Sequence, residues 1–161
     1  MEDVQIKAIV VTVSDSRTEA DDVSGDALVE LLLQTGTEIV EKLIVSDDFE
    51  ILRQTLFALA ERGDANLILT TGGTGFAPRD TTPEATRAVI EREAQGLAEA
   101  MRFETAGKTP TAILSRGVCG IRGRCLIINL PGSPKAVREC FAVVAPVLQH
   151  AVNLISGITN H

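Results

Sequence analysis

A glycine-rich run directly follows a short apolar segment near the middle of the chain. The apolar segment is Asn66–Leu69, and the run Thr70–Asp80 reads TTGGTGFAPRD. Glycine adopts positive φ values at little cost and has no side chain, so the backbone N–H groups of such a turn can converge on an anion. The pattern therefore predicts a buried strand that ends in a tight turn at which phosphate binds. A strand-to-helix turn without a ligand is the alternative.

The segment after this run has the composition of a helix start. Thr82 is expected to cap the helix and Pro83 to occupy its first position, so that the positive end of the helix dipole faces the same turn. Arg79 and Asp80 lie between the glycines and this helix. They would add a cation for phosphate and a carboxylate for a metal ion or a proton. The glycine spacing matches neither a Walker A loop nor a dinucleotide-binding fingerprint.

Strand-like and helix-like segments alternate along the chain. Apolar, β-branched runs are separated by segments in which apolar residues recur at helical spacing. This alternation predicts an α/β fold with a mainly parallel sheet, helices on both faces and ligands beyond the carboxyl ends of the strands. With 161 residues and no visible repeat or linker, the chain is expected to form one domain, residues 1–161. The predicted strands are Ile6–Val13, Glu38–Val45, Asn66–Thr70 and Arg124–Leu130, with a further short strand at Thr111–Leu114.

Capping residues and glycine stops set the bounds of the predicted helices. A proline inside the last helix is expected to break or kink it. In chain order, the predictions are a helix capped by Ser24 that ends near Gln34, a helix that begins at Asp47 or Asp48 and ends at Gly63, helices over Pro83–Glu93 and Leu97–Ala106, a turn at Ile121–Gly123, and a helix capped by Ser133 that begins at Pro134, is interrupted at Pro146 and ends at Ser156.

The net charge of −7 limits the partners of the chain. A surface that is acidic over most of its area repels nucleic acid, whereas a small anionic substrate can still bind at a local cluster of cations. The apolar runs are far shorter than the ~20 residues of a membrane helix, and acidic residues precede the first strand, unlike in a signal peptide. We therefore expect a cytoplasmic protein without nucleic-acid or membrane partners.

Cysteines and histidines give no sign of a metal site. Cys119, Cys125 and Cys140 are odd in number and lack paired metal-ligand spacing, so buried free thiols are expected. His150 falls in the last predicted helix and His161 ends the sequence, and neither has a recognisable catalytic triad around it.

A second loop resembles the first in its position. The run Leu130–Lys135 also joins a predicted strand to a helix that starts with proline. If the strands at Asn66 and Arg124 are neighbours, the two loops lie at the same edge of the sheet and form a two-part anion site. Ser133 would then bond a phosphate oxygen and Lys135 would supply a positive charge. An ordinary capped helix with a solvated lysine is the alternative.

Carboxylates at strand ends suggest a magnesium site. Asp47 and Asp48 open a helix, so capping is their default role, whereas Asp80 precedes a helix whose cap is assigned to Thr82. Two carboxylates from different strand ends suit Mg²⁺, which takes one or two of them together with phosphate oxygens. Such an arrangement would neutralise charge during an in-line attack on a phosphoryl group.

Polar residues after other strands are further candidates. Asp15–Arg17 follow the first strand and are expected at the same edge. Ser115–Arg116 follow the short predicted strand and would offer another anion contact, with a surface arginine as the alternative. Asp21–Asp22 are expected to form a solvated acidic loop.

Together these motifs resemble the molybdenum cofactor biosynthesis family, which includes bacterial MoaB and MogA and a domain of gephyrin. The resemblance extends over nearly the whole chain and is closest to the MoaB branch. The motifs that carry it are Val13–Arg17, Asp21–Gly25, Thr71–Gly75 with Arg79–Asp80, Thr82–Ala85, Leu114–Arg116 and Leu130–Lys135.

The resemblance implies a three-layer α/β/α molybdopterin-binding fold and a homotrimer, or a hexamer, that works with other molybdenum cofactor biosynthesis proteins. Active members of the family use Mg²⁺ and ATP to adenylylate molybdopterin and release pyrophosphate. Asp47 and Asp80 match the two essential aspartates of the family, as catalytic residues and as Mg²⁺ ligands, with Asp48 as the alternative to Asp47. The matching substrate- and phosphate-binding residues are Ser14, Asp15, Ser16, Gly72, Gly73, Thr74, Gly75, Arg79, Ser115, Arg116, Pro131, Gly132, Ser133 and Lys135.

Three functions stay open at this point. A molybdopterin adenylyltransferase is favoured, because Arg79 and Asp80 are both present. A molybdopterin-binding carrier or scaffold without catalysis is the second. The third is a nucleotide-processing enzyme similar to the competence-damage proteins, which carry a further domain.

Overall fold

The computed structural model describes residues 2–159 and shows helices on both sides of a six-stranded sheet. His161 lies outside the described residues. In chain order the elements are β1 (Lys7–Val13), α1 (Val23–Gln34), β2 (Glu38–Val45), α2 (Phe49–Glu61), β3 (Leu67–Thr71), α3 (Thr82–Val89), β4 (Arg92–Glu93), α4 (Gln95–Ala106), a 3₁₀ helix (Pro110–Leu114), β5 (Cys119–Arg122), β6 (Cys125–Leu130) and α5 (Pro134–Ile155).

The strands lie in the order β2-β1-β3-β6-β5-β4. β2, β1, β3 and β6 are parallel to one another, and β5 and β4 extend the sheet in antiparallel fashion. β3 pairs with β6, with Ile68 opposite Ile127, so the two predicted loops do follow neighbouring strands. The prediction of an α/β fold with a mainly parallel sheet is confirmed.

Two apolar cores cover the two faces of the sheet. Successive residues of a strand point to opposite faces, so β1 contributes Val10 to one core and Ile9 to the other. The first core contains Leu28 of α1 together with side chains of α4 and α5, and the second contains Leu52 of α2 together with side chains of α3. Burial on both faces explains why the central strands read as continuous apolar runs. The predicted three-layer arrangement is confirmed.

Two predictions close to residue 115 are wrong. The segment Pro110–Leu114 is a 3₁₀ helix and not a strand. The side chain of Ile113 is 65% exposed, and the fixed φ of Pro110 suits a helical turn. The segment Ile121–Gly123 is not simply a turn, because β5 continues to Arg122 and the turn is formed by Gly123, at φ +56°, and Arg124. With four residues, β5 is too short for periodicity to detect.

The residues before and at the start of α1 also differ from the prediction. Asp22 is fully buried and caps α1 by accepting a hydrogen bond from the N–H of Gly25 at 3.0 Å. The predicted cap, Ser24, is also buried, and its hydroxyl donates to the carbonyl oxygen of Gly132 at 2.6 Å. The predictions of a Ser24 cap and of a solvated loop at Asp22 are wrong, because the tertiary fold buries both side chains.

The start and end of α3 differ from the prediction as well. Thr81 occupies the cap position without a capping hydrogen bond, and Thr82 is the first helical residue. The hydroxyl of Thr82 donates to the carbonyl oxygen of Gly72 at 2.9 Å, so it ties the glycine-rich turn to the helix instead of capping it. α3 ends at Val89 and not at Glu93, because β4 pairs with β5.

The structure identifies the capping residues of α2 and α5. Asp48, and not Asp47, caps α2, because its side chain accepts a hydrogen bond from the N–H of Ile51 at 2.9 Å. Asp47 is therefore not needed as a cap. α5 is capped by Ser133, as predicted, and continues as one helix through Pro146. Of the predicted break or kink at Pro146, the break is therefore wrong and the kink stays a prediction.

The three cysteines are buried free thiols, as predicted. Burial raises the pKa of Cys119 and of Cys125 to about 12 and that of Cys140 to about 11. They are therefore poor nucleophiles at neutral pH. Among residues 2–159, none of the helices combines the length and the apolar character that crossing a membrane requires.

Candidate active site

The glycine-rich turn between β3 and α3 is held by close packing. Gly72 and Gly73 have φ values of +100° and +68°, which favour glycine. A β-carbon at Gly72 would lie 2.5 Å from the carbonyl oxygen of Val13, and one at Gly73 would lie 2.3 Å from the hydroxyl oxygen of Thr82. The turn therefore fits against β1 and α3 only because these two positions are glycine.

Unpaired backbone groups line the turn. The N–H groups of Gly73, Thr74 and Gly75 have no acceptor within residues 2–159, and all three residues border a cavity. Backbone N–H groups in folded proteins are almost always bonded to protein, water or ligand. Three neighbouring donors that face a cavity make a suitable site for the oxygens of a phosphate group.

Arg116 forms hydrogen bonds with the residues at the end of the glycine-rich turn and beyond it. Its Nε donates to the carbonyl oxygen of Gly75 at 2.8 Å, and Nη2 donates to the carbonyl oxygen of Asp80 at 2.7 Å. Nη1 forms an ion pair with Glu84 at 2.7 Å. All three guanidinium nitrogens bind groups of the chain itself, so Arg116 positions the turn, and its contact with an anion stays a prediction.

Asp47 and Asp80 both contact this turn. A β-carbon at Gly73 would lie 3.2 Å from Oδ1 of Asp47, and one at Gly75 would lie 2.9 Å from Oδ2 of Asp80. Asp47 comes from the loop between β2 and α2, and Asp80 from the loop that precedes α3. The structure therefore brings together the two aspartates that the sequence singled out, although it does not test their roles.

The surroundings of Asp47 disfavour its charged form. Burial raises its pKa, and the negative charges of Asp15 and Asp80 raise it further. A hydrogen bond from the N–H of Asp15 to Oδ2 at 3.1 Å and the charge of Arg79 oppose this shift without cancelling it. A cation that binds beside Asp47 would therefore stabilise its charged form.

Arg79 forms a bidentate ion pair with Asp15 across the mouth of the site. Nε and Nη2 of Arg79 donate to the two carboxylate oxygens of Asp15 at 2.6 and 3.0 Å. Asp15 also accepts hydrogen bonds from the N–H of Asp47 and the hydroxyl of Ser46, each at 3.0 Å. The hydrogen bond from Arg79 is the main reason that the pKa of Asp15 is lowered. Arg79 and Asp15 thus tie the loops that follow β1, β2 and β3 to one another.

The loop between β6 and α5 lies against the glycine-rich turn. The hydroxyl of Thr71 donates to the carbonyl oxygen of Pro131 at 2.7 Å. Gly132 approaches so closely that a β-carbon on it would lie 3.4 Å from Cα of Gly72. The two loops therefore form one continuous surface at the carboxyl edge of the sheet.

The remaining predicted phosphate ligands occupy different positions. Ser115 and Ser133 border the same cavity as the turn, whereas Ser14 lines a smaller cavity beside it. Ser16 is exposed and lines neither of the two. Lys135 also lines neither, its side chain is 74% exposed and its Nζ lies 3.9 Å from Glu139, which matches the solvated lysine of the alternative interpretation.

The cavity that the turn borders, the main cavity of the site, has a volume of about 480 Å³ and both polar and apolar lining groups. The glycine-rich turn, Asp80 and Ser115 form the polar wall. Phe76 of the loop that follows the turn, Met101 of α4 and Leu114 of the 3₁₀ helix contribute an apolar wall, and the charged residues Arg102 of α4 and Glu139 of α5 also line the cavity. Sequence reasoning missed this wall, because an amphipathic helix pattern identifies apolar residues without showing which of them border a cavity. A cavity lined by both polar and apolar groups suits a ligand with a phosphate and a flat ring.

The donor set at Asp47 and Asp80 fits Mg²⁺. Oδ2 of Asp47 accepts from the N–H of Asp15 and Oδ2 of Asp80 from the N–H of Ala77, while Oδ1 of each has no donor within residues 2–159. One open carboxylate oxygen from each residue is what Mg²⁺ uses when phosphate oxygens and water complete its shell. The described residues contain no group of three or more His, Cys, Asp or Glu that could hold a metal ion.

Comparison with known proteins identifies the family. A family described as "Probable molybdopterin binding domain" matches residues 9–150. The molybdopterin adenylyltransferase of Helicobacter pylori strain J99 is 39% identical over 159 residues, which is 98% of this chain and 90% of that protein. The molybdenum cofactor synthesis protein cinnamon of Drosophila melanogaster is 47% identical over 150 residues, which is 91% of this chain and only 25% of that longer protein.

A solved structure agrees with these relatives. The structure of the molybdopterin biosynthesis enzyme MoaB from Thermus thermophilus superimposes with a TM-score of 0.88 at 48% identity, and the match covers 95% of this chain and 98% of that one. Sequence and fold therefore lead to the same conclusion. The chain belongs to the family of probable molybdopterin binding domains.

Proposed function

We propose that this protein adenylylates molybdopterin with ATP and Mg²⁺ in molybdenum cofactor biosynthesis. The proposal is supported by relatives called molybdopterin adenylyltransferase, one of them 39% identical over 159 residues. The observation that carries it is the contact of Asp47 and Asp80 with one glycine-rich turn whose N–H groups are unpaired within residues 2–159. Carboxylates and backbone donors at one point are what a metal-bound polyphosphate requires.

The reaction would transfer an adenylyl group between two phosphates. An oxygen of the molybdopterin phosphate would attack the α-phosphorus of ATP, and the bond from that phosphorus to the leaving pyrophosphate would break as the new P–O bond forms. The attacking phosphate is already ionised at neutral pH, so the step needs no general base. Catalysis then rests on positioning and on charge neutralisation.

The residues of the turn have distinct roles in this proposal. The N–H groups of Gly73–Gly75 would bind phosphoryl oxygens, and Asp47 and Asp80 would hold Mg²⁺, which neutralises negative charge on the phosphates when bound. Arg116 would keep the turn in place through the carbonyl oxygens of Gly75 and Asp80. The apolar wall of the main cavity would bind the pterin ring.

We also propose a cytoplasmic homotrimer, with a hexamer as the alternative. An apolar groove runs between α4, β5 and α5 and is lined by Leu97, Ile121, Val147 and Leu154 among others. The side chains of Val147 and Leu154 are 45% and 43% exposed, which suits contact with another copy of the chain. Multi-angle light scattering of the purified protein would give the mass of the assembly, and a monomer would contradict this part of the proposal.

A turnover assay tests the proposed function. The purified protein, supplied with molybdopterin, ATP and Mg²⁺, is expected to release pyrophosphate and to form an adenylylated pterin detectable by mass spectrometry. Asp80→Asn and Asp47→Asn are each expected to lower turnover at least ~100-fold while pterin still binds. If the wild-type protein binds pterin and never consumes ATP, it is a carrier or scaffold instead.

Asp48→Asn is the matched control for Asp47→Asn. Asn and Asp cap helices about equally well, so this variant should keep both the fold and the turnover. Equal loss of turnover in the two variants would mean that the loop as a whole, and not the Asp47 carboxylate, supports the reaction.

A further inference from the structure

Two side chains of opposite charge border the main cavity, Arg102 of α4 and Glu139 of α5. No ion pair joins them. Glu139 follows the cap Ser133 by six residues, which is about 9 Å along the axis of α5. The loop before Ser133 lies against the glycine-rich turn. This separation leaves room for a ring between a phosphate at the turn and the carboxylate of Glu139.

The carboxylate of Glu139 is largely buried and weakly paired. Its side chain is 15% exposed, and the one cation of residues 2–159 within ion-pair distance is Nζ of Lys135, at 3.9 Å. The side chain of Lys135 is itself 74% exposed. No N–H or O–H group of the described residues donates a hydrogen bond to Glu139. Burial of a carboxylate without donors costs free energy, which N–H groups of a molecule in the cavity would offset.

Arg102 offers donors at the same cavity. Its Nη1 donates to the carbonyl oxygens of Ser115 and Gly117 at 3.3 and 2.9 Å, so the guanidinium is held against the segment before β5. Nε and Nη2 have no acceptor within residues 2–159, and the side chain is half-buried. The cavity thus has an acceptor on α5 and spare donors on α4.

The pterin ring carries matching groups along one edge. Its pyrimidine half has an amino group beside a ring N–H, and a carbonyl oxygen follows the N–H. The two donors lie side by side, so they can bond both oxygens of one carboxylate, and the carbonyl oxygen can accept from a guanidinium. Adenine lacks this edge, because its amino group adjoins a ring nitrogen that accepts instead of donating.

We propose that Glu139 selects the pterin ring by accepting hydrogen bonds from its amino group and the adjacent N–H, while Arg102 donates to the ring carbonyl oxygen. Glu139 is then a specificity-determining residue and takes no part in the transfer itself. The inference rests on the proposed function only in placing the pterin ring in the main cavity. It involves neither ATP nor Mg²⁺, so binding tests it without turnover.

A pair of ligands that differ in one group tests this assignment. Hydroxymethylpterin phosphate carries the amino group, and the corresponding lumazine phosphate has a carbonyl oxygen in its place. Each would be titrated into the full chain without ATP and Mg²⁺, with affinity measured by calorimetry. The wild type is expected to bind the pterin at least ~10-fold more tightly, because the added oxygen of lumazine would face a carboxylate. Equal affinities, or no measurable binding of the pterin, would overturn the assignment.

Glu139→Gln is expected to reverse this preference. A carboxamide has one acceptor and one donor side by side, which match the N–H and the carbonyl oxygen of lumazine. Pterin affinity should therefore fall at least ~10-fold while lumazine affinity rises. Equal loss for both ligands would indicate a merely structural role and overturn the assignment.

Glu104→Gln is the matched control, because it makes the same change at an exposed position of α4 outside the main cavity. It should bind both ligands as the wild type does. A change of preference in this variant as large as in Glu139→Gln would reduce the effect to general electrostatics and overturn the assignment.

Two further measurements keep the test decisive. Glu139→Asp keeps the charge on a shorter side chain and replaces Glu139→Gln if thermal unfolding shows that the latter is misfolded. Its pterin affinity should fall while its lumazine affinity does not, and an unchanged pterin affinity would overturn the assignment. AMP that competes with the pterin and binds more weakly to the Glu139 variant would place adenine there instead. If the ring preference is found without turnover, the proposed adenylyl transfer fails and this inference stands.

Discussion

Asp22 and Asp47 both lie near the carboxyl edge of the sheet, but the fold gives Asp22 more hydrogen-bond and ion-pair partners than Asp47. Asp22 accepts hydrogen bonds from the hydroxyl of Thr12 at 2.8 Å and from the N–H of Gly25 at 3.0 Å, and it forms an ion pair with Lys42 at 3.0 Å. Asp47 accepts one backbone hydrogen bond, and the charges of Asp15 and Asp80 repel it.

The pKa values of the two groups reflect this difference. Burial on its own raises the pKa of both carboxyls. At Asp22, hydrogen bonds from Thr12, Lys42 and Gly25 outweigh burial and leave the pKa lowered, whereas at Asp47 the pKa stays raised. A carboxylate whose oxygens are all occupied by hydrogen bonds or ion pairs stabilises the fold. A carboxylate with few such partners remains available for a ligand. The predictions below test this distinction.

Asp22→Ala is expected to have the largest effect on stability. It would leave the Gly25 N–H without a cap and remove one of the two carboxylate partners of Lys42, at a cost of ~3 kcal/mol or more in the free energy of unfolding. Urea unfolding measures this loss. Glu30→Ala, at an exposed position of α1, is the control and should cost less than ~1 kcal/mol. Similar losses in the two variants would remove the contrast between Asp22 and an ordinary surface carboxylate.

Arg116→Lys is expected to lower turnover strongly and to change the stability of the fold little. Lysine cannot bind the carbonyl oxygens of Gly75 and Asp80 and the carboxylate of Glu84 at the same time, so the turn would lose its position. We expect kcat to fall ~10- to 100-fold, with the Kd for pterin changed less than ~2-fold. Arg122→Lys is the control, because Arg122 also holds a carbonyl oxygen and a glutamate, but away from the cavity. A fall in pterin affinity without a fall in kcat would contradict the positioning role.

Asp47→Asn is expected to stabilise the fold slightly while it abolishes turnover. The folded-state pKa of Asp47 lies above 3.8, so its ionisation costs no stability well below pH 3.8, costs more as the pH rises from 3.8 to the folded-state pKa, and costs a constant amount above that value. The variant should therefore gain at most ~1 kcal/mol at neutral pH, reduced by solvent screening, and nothing at strongly acidic pH. Thermal unfolding as a function of pH measures this gain, and a loss of stability at neutral pH would contradict it.

Asp15→Asn is expected to show the opposite pH dependence. The pKa of Asp15 is lowered below 3.8, mainly by Arg79, so its contribution to stability is present above 3.8 and is lost as the pH falls through the folded-state value. The variant should lack this contribution near neutral pH and approach the wild type in acid. The effect is the smallest of the four, because the ion pair is exposed to solvent. The same series of thermal unfolding measurements compares Asp15, in the loop after β1, with Asp47, in the loop after β2.

Much of the fold could be predicted from the sequence, because the signals are local. The apolar runs of β1 and β3 and the helical spacing after them predicted the layers and the parallel strands. The antiparallel strands β4 and β5 were missed, since two and four residues are too few for periodicity. The 3₁₀ helix Pro110–Leu114 was mistaken for a strand, because its apolar residues lie on the surface and not in a sheet.

The candidate site could be predicted in outline. Strand-end position was enough to single out Asp80, whereas the choice of Asp47 rested on the resemblance to the family. Only the structure showed that Asp48 caps α2. The role of Arg116 could not be predicted, because a guanidinium binds carbonyl oxygens and phosphates with the same donors. The apolar wall of the main cavity and the smaller cavity beside it could not be predicted either, because both are formed by elements that are distant in the sequence.

The sequence by itself determined where the chain turns, where its strands end and which residues carry charge at those ends, because glycine conformation and hydrophobic periodicity act over a few neighbouring residues. Only the tertiary structure decided which donors meet which acceptors. Arg116 and Gly75 are 41 residues apart, and Asp47 and Asp15 are 32 apart. Whether a charged group is bonded within the chain or left open for a ligand depends on such distant partners.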